Sequence, residues 1–141
     1  LQVVAGTDAT TRSTSSSSYV TMTLEAAITP GASSSKILCV VTGVMGGNSD
    51  GSDDNFNYDI QRSDNGGTFA TTGGSGGHGK NNTNQSSDYN GGAGMSILDS
   101  PSSTNEQTYK VFAKTSAGDG TARFGEGNVT SHMTLLEIDG S

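Results

Sequence analysis

The sequence predicts an all-β protein, a two-sheet antiparallel β-sandwich with jelly-roll-like connections, and three observations carry that expectation. Apolar residues are gathered into short segments that alternate with polar ones, turn-forming Gly, Pro, Asn and Asp stand between the segments, and no stretch keeps helical periodicity over a useful length. At 141 residues the chain suits a single domain, 1–141, large enough to bury a core without disulfide staples. About eight or nine short strands are expected, the pattern of a sandwich or jelly roll.

In chain order, residues 1–18 read as an extended Thr/Ser-rich lead-in with one short strand candidate, Gln2 to Ala5. Val20, Met22 and Leu24 alternate with Thr21, Thr23 and Glu25, a half-buried strand; Ile28-Thr29-Pro30-Gly31 closes it, because proline cannot donate in a ladder. Lys36 to Met45 is the longest apolar run and is rich in β-branched residues. Its alternation puts Ile37, Cys39, Val41 and Met45 on one face and Leu38, Val40 and Val44 on the other, so neither face suits water. Phe56, Tyr58 and Ile60 give the clearest period-two signal, followed by a hairpin turn at Asn65-Gly66-Gly67 and a short return strand from Thr68 to Thr72. Residues 73–92, rich in Gly and Asn, lack apolar periodicity and are expected to form a long loop. Met95 to Leu98, then Tyr109, Val111 and Ala113, then Thr121 to Phe124 supply further strands. His132 to Ile138 is the second strand apolar on both sides, with Met133 and Leu135 on one face and Leu136 and Ile138 on the other.

A strand in a two-layer sandwich needs only one apolar face. If the two doubly apolar strands are neighbours, the outside of their sheet becomes a contiguous apolar patch that a closed homo-oligomer would bury. Leu38, Val40, Leu136 and Ile138 are the expected interface residues.

About half of the chain is Gly, Ser, Thr and Asn, a bias that would indicate disorder were the apolar residues not so well grouped. A net charge of −7 with seven scattered basic residues argues against nucleic acid as a partner, and no basic amphipathic or bilayer-length apolar segment points to membrane insertion. Cys39, the single cysteine, lies within the apolar run and reads as a small buried hydrophobe, which leaves the redox compartment open. No stretch reads as a signal peptide, and because residue 1 is Leu rather than Met the chain reads as a processed product or a piece of something longer.

Four stretches, taken in order and spacing, resemble a known family. They are Leu1-Gln2-Val3-Val4; Ile28-Thr29-Pro30 running to Ser34-Ser35-Lys36-Ile37-Leu38; Leu98-Asp99-Ser100-Pro101 with Thr108-Tyr109-Lys110-Val111; and Met133-Thr134-Leu135-Leu136-Glu137-Ile138. Together they are similar to the C-terminal β-sandwich domains of tail-fibre and virion-surface proteins of tailed phages, marine ones especially. The resemblance spans the chain except for residues about 46 to 92. It implies a homotrimer at the virion surface among other virion proteins, acting as a tail-fibre tip or a capsid decoration domain. It implies no reaction, no cofactor and no catalytic residues.

Loops that vary with the host would sit in the unmatched stretch. Asn81, Asn82, Asn84 and Gln85 offer paired donors and acceptors suited to sugar hydroxyls, while His78, Lys80 and Tyr89 add charge and a stacking face, so this set is the expected receptor-binding surface for a host glycan. Asn48, Asp50, Ser52 and Asp53 bunch oxygens as a calcium loop would, but the Gly and the closing Glu of an EF-hand are missing; a solvated hairpin tip is expected, with calcium the alternative. Two histidines and one cysteine without ligand spacing do not make a zinc site, and no Gly-x-Ser-x-Gly elbow occurs. The rival from another class is a lectin-like carbohydrate-binding module of a bacterial adhesin or secreted protein, which the lack of Trp weakens.

Overall fold

The computed structural model describes residues 1–48, 54–72, 77–83, 89–116 and 120–140, with backbone alone for Asp54 and residues 81–83. Eleven strands run through the described residues: β1 (Val3–Asp8), β2 (Arg12–Thr14), β3 (Val20–Ile28), β4 (Lys36–Asn48), β5 (Asp54–Asp64), β6 (Ala70–Thr71), β7 (Gly79–Thr83), β8 (Tyr89–Asp99), β9 (Gln107–Thr115), β10 (Thr121–Phe124) and β11 (Ser131–Ile138). They form two antiparallel sheets packed face to face, the β-sandwich that the alternation predicts.

The first sheet is built on β4, the doubly apolar strand. Strand β8 pairs with it from Ile37 to Gly47 along one edge, so β11, opposite Lys36 to Thr42, and β10, opposite Met45 to Asn48, share the other. Beyond them β1 pairs with β11 and β2 with β10. The second sheet runs β3-β9-β5, and β6 and β7 divide the far edge of β5 between them. Most connections pass from one sheet to the other, which is what jelly-roll-like wrapping requires.

Between the sheets lie Met22, Leu24 and Ile28 of β3, Ile37, Cys39 and Val41 of β4, Phe56, Tyr58 and Ile60 of β5, Val111 of β9, and Met133 and Leu135 of β11, all buried. Polar ties cross the interior as well. The Tyr58 hydroxyl reaches the opposite sheet, 2.6 Å from the Gly46 carbonyl and 3.0 Å from that of Arg123, residues that stand opposite each other on β4 and β10. At the other end Asp99 of β8 accepts from Tyr109 at 2.8 Å and pairs with Arg62 of β5.

Strand β3 departs from regular alternation. Thr21 stands opposite Phe112 and Glu25 opposite Lys110, so β3 spends two extra residues there, and Thr23 adopts a φ of 70°. Two is an even number, so Met22, Leu24, Ala26 and Ile28 all still face inward. The hairpin turn after β5 forms as expected, with Asn65 and Gly66 both at positive φ and the Gly67 amide donating to the Asp64 carbonyl at 2.9 Å.

Two expectations are corrected. The stretch 73–92 is not one loop, since it contains β7 and the start of β8; and the 1–18 lead-in holds, besides the strand expected near Gln2 to Ala5 and found as β1, a second strand, β2. Strands β2 and β7 and the start of β8 are held by ladder hydrogen bonds to β10, β5 and β4 and contribute few side chains to the core, so hydrophobic periodicity had nothing to register.

The two long sides of the sandwich differ. On one, β1 and β3 abut so closely that a Cβ on Gly6 would stand 1.9 Å from the Glu25 carbonyl oxygen. On the other, β8 and β7 belong to different sheets and leave an opening to the core.

Candidate functional site

Two surface features stand out, and the register explains both. The first is the outer face of the β4 sheet. Leu38 lies opposite Leu136 on one side and Leu98 on the other, and Leu136 in turn lies opposite Val3, so four apolar side chains form one row across β8, β4, β11 and β1. Val3 and Leu98 are 67% and 57% exposed, Leu38 and Leu136 are half-buried by their neighbours, and Ile138 adds a further exposed side chain at the end of β11. Val40 continues the patch for one more row, flanked by Thr134 and Ser96; beyond it Thr42 stands between His132 and Gly94, and the face becomes polar. The expected interface set Leu38, Val40, Leu136 and Ile138 therefore lies together on one surface. Val3 and Leu98, not singled out from the sequence because their own segments alternate weakly, complete it.

The second feature is a groove of about 230 Å³ at the open side, lined by Met45, Gly79, Lys80, Tyr89 and residues 91–94. Met45 closes its base. One wall is β8, where Gly91, Gly92, Ala93 and Gly94 leave the strand backbone bare; the ring of Tyr89 sits beside Gly91, and a Cβ at residue 91 would be 3.0 Å from its hydroxyl. Lys80 stands on β7 opposite Asn57, exposed, with no ion-pair partner among the described residues. Lys80 and Tyr89 of the expected recognition set thus meet at one groove. Asn81 and Asn82 follow on β7, and Asn84 and Gln85 lie outside the described residues.

His78, two residues before Lys80 and on the same outer face of the β5 sheet, packs down onto that sheet instead of reaching the groove, with its side chain 12% exposed. Strand β7 ends at Tyr58 and β6 begins at Gln61, which leaves Asp59 and Ile60 without strand partners on that edge. His78 and Thr72 fill the gap: the His78 amide donates to the Tyr58 carbonyl at 2.8 Å, the Ile60 amide donates to His78 Nδ1 at 3.2 Å, and the Thr72 hydroxyl donates to the Ile60 carbonyl at 2.6 Å. The same Nδ1 lies 2.8 Å from Oδ1 of the fully buried Asp59. Nδ1 can accept from the Ile60 amide or, in the other tautomer, donate to the Asp59 carboxylate, but not both at once. Gln61 donates to the other Asp59 oxygen at 3.1 Å, and the buried Tyr19 hydroxyl is held above its ordinary pKa by burial and then by the Asp59 charge. Gly77, at φ +72°, is the residue that lets the chain pass this hydroxyl, because a Cβ there would approach it to 2.7 Å.

Asn48 closes β4 opposite Thr121, while Asp50, Ser52 and Asp53 of the calcium alternative lie outside the described residues. Among the described residues no three His, Cys, Asp or Glu side chains gather as a metal site would need. Cys39 is fully buried, and burial, helped by the Asp99 charge, pushes its thiol up to about 12. No protein-family model matches the sequence, and no curated protein matches it significantly.

Proposed function

We propose that the protein is a non-enzymatic structural domain of a tailed-phage virion surface, a tail-fibre tip or a capsid decoration domain, working as a homo-oligomer, most simply a trimer. The observation that carries the assembly is the row Val3, Leu136, Leu38 and Leu98 on the outside of the β4 sheet. Apolar side chains aligned across four strands gain nothing from solvent, and a second copy covers them at no cost in polar groups. The virion setting rests on the resemblance of the end-to-end sequence segments, and the sandwich architecture is compatible with it.

Light scattering on the purified chain at micromolar concentration tests the assembly. An oligomer is expected, and the double variant Leu38→Asp/Leu136→Asp should be a folded monomer, because both positions face outward and charge is tolerated only when they are solvated. A monomeric wild type would overturn the reading. The lectin-like alternative draws support from the groove with Tyr89 and Lys80, a feature that serves host adsorption equally well.

A further inference from the structure

From the groove at the open side we infer a binding site for a single acidic sugar unit, a carboxylate-bearing pyranose. It deepens the adsorption reading above and rests on it for its biological use. Size is the first argument. At about 230 Å³ the groove is smaller than the ~300 Å³ at which pockets for drug-sized ligands begin, so it suits one ring rather than a peptide segment.

Chemistry is the second. A pyranose presents an apolar C–H face and a rim of hydroxyls. Tyr89, 51% exposed, offers an aromatic face at the mouth, and Met45 offers an apolar base. Gly91, Gly92 and Gly94 expose the β8 backbone where bulkier residues would cover it, and among the described strands β8 is an edge strand that pairs with β4 alone. Its outward amides and carbonyls are therefore available to sugar hydroxyls, without the entropy cost of ordering side chains. The cation is the third argument. Lys80 lines the rim of the groove: its register opposite Asn57 starts the side chain on the outer face of the β5 sheet, and its long flexible stem can bring the ammonium to the mouth. It has no ion-pair partner among the described residues of a protein of net charge −7, and a carboxylate on the ring gives it one. The bare residue 91 leaves room for the Tyr89 ring close against β8.

The test is an amide NMR titration of the isotopically labelled full chain with glucuronate, with glucose and acetate as comparisons. Glucuronate should shift the amides of Gly79, Lys80, Gly91 and Gly92 with roughly millimolar affinity, and bind about tenfold more tightly than glucose. Lys80→Met should remove that tenfold preference while leaving glucose binding unchanged, and Tyr89→Ala should abolish binding of both sugars. Both positions are exposed and lie outside the apolar row, so the variants should keep the wild-type oligomeric state by light scattering. Absence of shifts at these amides, equal binding of glucose and glucuronate, or shifts reproduced by acetate alone would overturn the proposal. A monomeric wild type would refute the assembly reading and leave this one standing, so the two failures are told apart.

Discussion

Replacing Tyr58 by Phe removes one oxygen from the middle of the protein and nothing else. That oxygen is the polar tie between the sheets at this end, within 2.6 Å of the Gly46 carbonyl and 3.0 Å of the Arg123 carbonyl, and the ring that carries it is fully buried. The variant leaves the two carbonyls with only their ladder partners, Gly46 and Arg123 facing each other across β4 and β10. The loss of one such hydrogen bond costs about 0.5–1.5 kcal/mol, and about 1 kcal/mol is the central expectation here because the ring itself stays packed. For a domain of this length about 1 kcal/mol moves the melting temperature by roughly 3 °C, so Tyr58→Phe should melt about 3 °C below wild type. Thermal unfolding followed by circular dichroism at one fixed protein concentration measures it, the concentration being held because assembly would otherwise shift the midpoint. A drop of less than about 2 °C would refute the claim that this hydroxyl holds the sheets together.

Gly47→Val should be more damaging, about 3 kcal/mol or unfolded outright, because a Cβ at that position meets the Phe56 ring at 2.6 Å and the Thr121 carbonyl at 2.4 Å; expression and melting temperature report it. Acid should destabilise the protein through two carboxylates. Glu137 is held below its ordinary range by the Gly31 amide, with Ser35 assisting; burial pushes Asp8 up, but its hydrogen bonds from Thr23 and Thr10 together outweigh that and leave it lowered. Their folded pKa values lie below the unfolded ones, so their stabilisation is complete above the ordinary carboxylate range and is lost as pH falls through the folded values. Glu137→Gln should flatten that acid limb, and a melting profile across acidic pH with the same slope as wild type would exclude Glu137 from it. Cys39, with its thiol raised to about 12, should resist an aromatic disulfide reagent at mildly alkaline pH in the native state and react fully in denaturant; prompt native labelling would contradict its burial.

What the sequence revealed follows the side chains that enter the core. Tyr58 and Ile60 announced β5 because Asn57, Asp59 and Gln61 beside them are polar, and Val111 of β9 and Leu135 of β11 kept the same period although Phe112 and Leu136 make the outer face partly apolar. The doubled apolar faces of β4 and β11 lie side by side because the two strands proved to be neighbours, as the apolar patch expected from the sequence requires. Strands β7 and the start of β8 were illegible because Gly79 and residues 90–92 are held by backbone pairing, which leaves no periodic trace. For the same reason the groove could not be foreseen: Lys80 and Tyr89 were candidates by residue type, but the bare glycine wall between them is a fact of register. Val3 and Leu98 likewise became part of a row only when pairing aligned them with Leu136 and Leu38. The role of His78 as a filler between two short edge strands depends on where β7 stops, which nothing in the local composition fixes.

The pairing of β1 with β11, Val3 opposite Leu136, makes hydrogen-bonded neighbours of the first and last of the described strands. During synthesis the first sheet therefore cannot be completed until β11 has emerged, because among the described residues β1 pairs only with β11 and β4 lacks β11 along half of one edge. Folding must close a loop nearly as long as the domain, which predicts slow, late-committing kinetics in place of stepwise growth from the front. During that wait the edges of β4 and β8 are the segments most open to pairing with another chain. The yield of correctly folded material should therefore fall with temperature and protein concentration during synthesis well before the finished domain shows any instability.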